Sequence, residues 1–326
     1  MPTRKIILPS PNTVAASATS LISCPVGPAH RYRAIYLKIG VLSGGTAIAA
    51  TALPAGGTPA QALVGDIRLK INGRTQRLHS AHQLNRLNAL NGSIYAAAGW
   101  GTRAANNKNG QVITLWFAEP WRKTLGQQEA LALPSSRIST LEVEVDFNAL
   151  PTNGSSYNMV AWAEVDSEPG DAIHNGGVVL SKVFRQNLTG GTAAGSAYDL
   201  TTLDKRDLYT TIVADLGNTS AAGTAANGIT ASTSSGAGDY SAKLTITANS
   251  SPIAELTKDV AALIHTEWDM NPNQFDLEAI LDSADDIRSG LTANGLSDLR
   301  VRIDTVADTC ANGTWTLLTE RTGPLD

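Results

Sequence analysis

One order of secondary-structure signals occurs twice in this chain, and that repetition constrains the fold more than any single motif. The first copy reads DIRLKI, a turn at Asn72-Gly73, RTQRL, a helix, VITLWF, ISTLEVEVDF and YNMVAWAEV. The second reads SAKLTIT, a turn at Asn249-Ser250, PIAEL, a helix, FDLEAIL, DLRVRIDTV and TWTLLTE. A hairpin followed by a helix is common, but the same series in the same order marks a duplication. The spacing differs mainly between helix and next strand, where the first copy carries the polar stretch GWGTRAANNKNG.

Two stretches have helical spacing. The first follows Ser80, which forms an S-x-x-Q capping box with Gln83, and it places Ala81, Leu84, Leu87 and Leu90 on one face before Asn91-Gly92. The second follows Thr257 as N-cap and places Val260, Leu263, Ile264 and Trp268 on one face before Asn271-Pro272. Each is expected to be a short amphipathic helix lying on a sheet.

The rest of the chain reads as strands, either alternating with period two or as short apolar runs between clusters of Gly, Asn, Ser and Pro. They fall near 31–42, 63–71, 74–78, 112–118, 137–147 and 157–166, then near 178–185, 208–215, 240–248, 252–256, 274–282, 298–306 and 313–320. The expected class is all-β: two tandem jelly-roll β-sandwiches, each with a short helix, the packed sheets managing their own edges. The first roll with an N-terminal arm takes residues 1–170 and the second 171–326, with the boundary near Glu168-Pro169-Gly170. Gly/Ala/Thr/Ser stretches at 43–62 and 216–239 lack the large apolar residues of a core and read as surface loops.

Charged residues make up 17% of the chain, against roughly 25% in ordinary soluble domains. Low charge suits large subunit interfaces, where an unpaired charge is costly to bury, and it suits an extracellular β-protein as well. A net charge of −4 does not mark a general nucleic-acid binder. No apolar run approaches the roughly 18 residues of a membrane helix, and MPTRKIILPSPN lacks a signal peptide's apolar core, so the chain reads as made and kept in a cytoplasm. Cys24 and Cys310 are the two cysteines, too few for a disulfide framework and read as buried thiols.

Catalytic patterns are absent from the sequence: there is no nucleophile elbow, no Walker-type loop and no dinucleotide fingerprint, and the Gly pairs at 44–45, 56–57 and 190–191 have no attendant Lys. His79 and His82 stand three apart at a helix start without an evident third metal ligand and read as polar helix-end residues, and His30, His174 and His265 lie far off in sequence. Asp282, Asp285 and Asp286 form the densest acidic group, a candidate for structural Ca²⁺ with loop carbonyls or simply a solvated loop. Glu142 and Glu144 alternate with Val143 and Val145, the pattern of an outward sheet face and not of a carboxylate pair across a cleft, and Glu164 is the third such candidate. Trp100, Trp116, Trp121, Trp162, Trp268 and Trp315 include strand residues that read as core or interface anchors, or as a sugar-stacking platform.

The stretch GDIRLKINGRTQRLHSAHQLNRLNALNG, followed by LWFAEPW and ISTLEVEVDF, resembles the first roll of the double jelly-roll major capsid proteins of tailless icosahedral bacteriophages with an internal membrane, the corticovirus and finnlakevirus kind. The resemblance extends over most of the chain through the repeat, and it lies in the pattern of elements and not in signature residues. It implies upright rolls, three chains per capsomer of roughly hexagonal outline, and an N-terminal segment facing the membrane, where Arg4 and Lys5 would meet acidic headgroups. The implied partners are further copies of the chain, neighbouring capsomers, vertex or minor capsid proteins and the membrane surface. The implied place is the virion, assembled in a bacterial cytoplasm, with no enzymatic role, no cofactor and no sequence-specific nucleic-acid contact. A carbohydrate-binding or adhesive β-sandwich, such as a phage spike or surface module, is the alternative.

Overall fold

A computed structural model describes residues 3–28, 30–43, 63–95, 109–151, 153–167, 178–188, 197–218, 243–271, 275, 277–282, 289–304 and 313–325. The expected boundary at Glu168-Pro169-Gly170, most of the loops expected at 43–62 and 216–239, and the Gly pairs lie outside them, as do His174, Trp100, Cys310, Asp285 and Asp286; Ser43 and Leu216–Asn218, expected as loop, instead end two long strands. The chain divides into two compact units: unit 1 is Met1–Val183 with Pro324–Asp326, and unit 2 is Phe184–Gly323.

In the first half the strands are β1 (Arg4–Ile7), β2 (Thr19–Cys24), β3 (Arg31–Ser43), β4 (Val64–Ile71), β5 (Arg74–Ser80), β6 (Asn109–Trp116), β7 (Leu133–Pro134), β8 (Leu141–Phe147) and β9 (Gly154–Asp166). In the second they are β10 (Val179–Leu188), β11 (Ala197–Leu200), β12 (Leu208–Asn218), β13 (Lys243–Ala248), β14 (Ser251–Leu256), β15 (Leu277–Ile280), β16 (Leu291–Thr292), β17 (Leu299–Asp304) and β18 (Gly313–Pro324). The helices are α1 (Ala81–Leu90), α2 (Leu125–Glu129) and α3 (Lys258–Glu267). Each expected strand is present. The sequence reading left out β1, β2, β11, the two-residue strands β7 and β16, and the single-turn helix α2.

Unit 1 has one sheet in the order β1-β9-β3-β6, with β7 on β3, and a second in the order β5-β4-β8-β2. Unit 2 has β10-β18-β12-β15, with β16 on β12, and β14-β13-β17-β11. Strand for strand the two orders are one order, so the duplication holds at the level of pairing as well as sequence: each unit is a jelly roll of two sheets. Even the irregularities recur. The hairpin β4-β5 is bulged between Leu69 and Lys70 and the hairpin β13-β14 between Ile246 and Thr247, while β3 is bulged after Tyr32 and β12 after Tyr209.

Each unit fills the space between its sheets with the inward residues of alternating strands. In unit 1, Ile35, Leu37 and Ile39 of β3 meet Ile67, Leu69, Val143 and Val145 of the facing sheet. In unit 2, Ile212 and Leu317 meet Leu244, Ile246, Val301 and Ile303. Each such side chain contributes about 1.5–3 kcal/mol by leaving water.

The helices divide the expectations. In α1 the capping box forms, with Gln83 N donating to Ser80 Oγ at 3.1 Å and Ser80 N donating to Gln83 Oε1 at 3.0 Å, and Ala81, Leu84, Leu87 and Leu90 are all buried. In α3 the expected face is corrected. Val260 and Leu263 point to solvent, Leu263 at 63% exposure, and the buried positions are Ala261 and His265. A small residue lets the helix approach the sheet closely, and His265 Nδ1 lies 2.9 Å from Glu278 Oε2 on β15, so the buried face of the helix carries a polar pairing to the sheet. Thr257 holds the N-cap position without a side-chain cap hydrogen bond.

Candidate functional site: assembly surfaces

Alternation leaves every second residue of β3, β6 and β9 on the outer face of the first sheet of unit 1. Register puts Tyr36 opposite Trp162, Ala34 opposite Trp116, and Ile7 of β1 opposite Trp162. The result is a row of aromatic rings. Tyr36 stacks on Trp162 with centroids 6.1 Å apart and meets Trp116 edge-on at 6.1 Å. Trp116 continues to Tyr95 at 5.8 Å and to Trp121 at 6.3 Å. These rings are half-buried and end at Ile7, which is 82% exposed. Trp116, Trp121 and Trp162 are therefore surface residues, not core; the side chain of Trp315 lies outside the described residues.

A charged cluster borders the row. Arg31 clasps Asp166 through two hydrogen bonds, Nε to Oδ1 at 2.7 Å and a terminal nitrogen to Oδ2 at 2.6 Å, and reaches Glu129 at 2.9 Å. Arg33 pairs with Glu129 and, at 3.2 Å, with Glu164, to which the Tyr36 hydroxyl donates at 3.0 Å. Burial first, then the Glu164 charge, raise the Tyr36 pKa well above the usual phenol value. Sequence reasoning missed this cluster because Glu129 and Asp166 come to Arg31 only through the fold.

Arg4 and Lys5 sit on β1, opposite Val165 and Glu164 of β9, and both are exposed. The Lys5 Nζ lies 5.2 Å from the centre of the Tyr36 ring. Glu142 and Glu144 face outward on β8 as expected; Glu144 pairs with Lys70 at 2.5 Å and sits 3.8 Å from Arg68.

Among the described residues no three His, Cys, Asp or Glu side chains converge on a metal position. His79 is fully buried at the end of β5, which corrects its reading as a polar helix-end residue; His82 is half-buried on α1, with its pKa lowered to about 4 by burial and then by Arg86. Asp282 is buried, whereas a solvated acidic loop would leave it exposed. Cys24 is buried as expected, and burial pushes its thiol up to about 12. No described helix is long and apolar enough to cross a membrane.

Residues 5–166 match the family model of the viral coat protein P2 N-terminal domain. No curated protein matches the sequence. Solved structures share the fold along the whole chain. The major capsid protein P2 from bacteriophage PM2 has 15% identity and a TM-score of 0.67 over 99% of this chain and 98% of its own. A chain of the PBCV-1 virus capsid has 11% identity and a TM-score of 0.68 over 98% and 93%. A chain of Sulfolobus turreted icosahedral virus has 14% identity and a TM-score of 0.70 over 98% and 90%. Residues 5–166 thus carry the viral coat protein P2 N-terminal domain, and the chain as a whole has the double jelly-roll fold of these capsid chains.

Proposed function

We propose that the chain is the major capsid subunit of a tailless icosahedral bacteriophage and works as a homotrimer, in which three copies of a duplicated roll make a capsomer of roughly hexagonal outline. The observation that carries this reading is the strand-for-strand identity of the two units, including their bulges. Two like units per chain give a trimer six like faces, which a hexagonal tile requires. The outer aromatic row, rich in the Trp and Tyr that dominate interface energetics, supports a role in contacts.

The same reading places the capsid over an internal membrane. Arg4 and Lys5 are exposed on the first strand, and each near-surface cation contributes about 1 kcal/mol toward acidic lipid. Neighbouring capsomers and vertex or minor capsid proteins are the remaining partners, the host cytoplasm is the place of assembly, and the role is structural and not enzymatic.

Light scattering tests the core of the proposal. A mass of three times 34.1 kDa, with threefold particles of hexagonal outline by negative stain, supports it; a monomer sinks it. The aromatic row also fits a carbohydrate-stacking reading. That reading is favoured if a monomeric protein is retarded on a polysaccharide column and Trp162→Ala abolishes the retardation.

A further inference from the structure

The duplication leaves two strand edges whose counterparts elsewhere in the chain are paired. Among the described residues β1 pairs with β9 alone and β14 with β13 alone. Their counterparts in the other repeat are β10 and β5. Within unit 1, Val183 at the end of the first stretch of β10 pairs in parallel with Arg77 of β5.

The shared bulges fix which residues correspond. Arg77 lies opposite Leu69 and Ala254 opposite Ile246, each immediately before its hairpin's irregularity. Ile6 pairs with Ala163, itself the partner of Ile35; Ile212, the counterpart of Ile35, pairs with Thr319, whose hydroxyl donates to Phe184 O at 3.4 Å. Phe184 thus answers to Ile6, and Val183 to Lys5.

We propose that β1 of one copy adds in parallel to the free edge of β14 of a second copy, with Lys5 opposite Ala254, repeating between chains the β10-β5 pairing made within one. This rests on the trimer reading: the contact is heterologous, and three such contacts close a ring. Addition of a strand to an open edge satisfies backbone groups that water otherwise holds.

The residues of β14 fit an edge awaiting a strand. Ile253 is exposed and Ala254 half-buried, whereas their counterparts in β5, Gln76 and Arg77, are buried.

The test is Lys5→Cys with Ala254→Cys in a Cys310→Ser background, Cys24 being buried, oxidised and run on a non-reducing gel. The expected product is a covalent trimer, with neither single-cysteine variant forming it. A trimeric mass before oxidation with no cross-link overturns the edge pairing and leaves the trimer standing; a monomeric mass overturns both. Hydrogen exchange on the unaltered protein checks the same point without substitutions. Amides of β1 and β14 should be as protected as those of β5, and rapid exchange at both strands overturns the pairing.

Discussion

Tyr32 and Tyr209 close the two units in the same way: the Tyr32 hydroxyl donates to Pro25 O at 2.6 Å and the Tyr209 hydroxyl to Asp204 O at 2.7 Å. Each is the second residue of the long strand of its repeat, is fully buried, and stands just before a bulge. Removing either hydroxyl strands a carbonyl at the strand entry. Tyr32→Phe and Tyr209→Phe should each lose about 1–3 kcal/mol in chemical denaturation at fixed protein concentration. A cost at one site and none at the other would contradict their equivalence.

Burial keeps both phenols protonated: the Tyr209 pKa is raised to about 12 and that of Tyr32 is raised further. A phenol whose folded pKa exceeds its unfolded value of 10.0 binds the proton more tightly when folded. Its contribution to stability is complete below that value and is lost as pH climbs toward the folded pKa. Thermal unfolding followed against pH should therefore show a midpoint falling above about 10, and Tyr209→Phe should flatten part of that slope.

Asn72 and Asn249 both adopt left-handed backbone, at φ 52° and 49°. The Asn72 Oδ1 accepts from Ser139 N at 2.7 Å and Ser139 Oγ at 2.9 Å, and the Asn249 Oδ1 accepts from Ser297 N and Ser297 Oγ, both at 2.9 Å. An Ala at either place keeps the strained φ and loses the clasp. Asn72→Ala and Asn249→Ala should cost about 2 kcal/mol each, read as matching shifts in denaturation midpoint.

Arg31 and Asp166 form an enclosed bidentate ion pair, with side chains 12% and 4% exposed. Asp166→Ala takes the bidentate partner from a largely buried guanidinium and should cost about 3 kcal/mol. Replacing both partners, Arg31→Met with Asp166→Leu, should restore most of that loss in the same denaturation experiment, because no buried charge is then left unmatched.

The two helix caps should separate cleanly. Ser80→Ala removes a capping box and should cost about 1 kcal/mol, whereas Thr257→Ala removes a side chain that makes no cap bond and should change the unfolding midpoint little.

The sequence by itself determined the repeat, the long strands and α1. Alternation in LEVEVDF and LRVRID and the capping box at Ser80 are local signals, fixed by side-chain period and by hydrogen bonds within a few residues. Short edge strands such as RKII and AYDL carry too few residues to display a period, so β1 and β11 exist only because β9 and β17 offer them an edge. The orientation of α3 is also tertiary. Its aliphatic spacing favours one face, but the buried His265–Glu278 pair, set by a strand that arrives later in the chain, turns Val260 and Leu263 outward. The clustering of Trp162, Tyr36, Trp116 and Trp121 on one surface likewise depended on strand register. Register is a relation between distant segments, and no single stretch of sequence contains it.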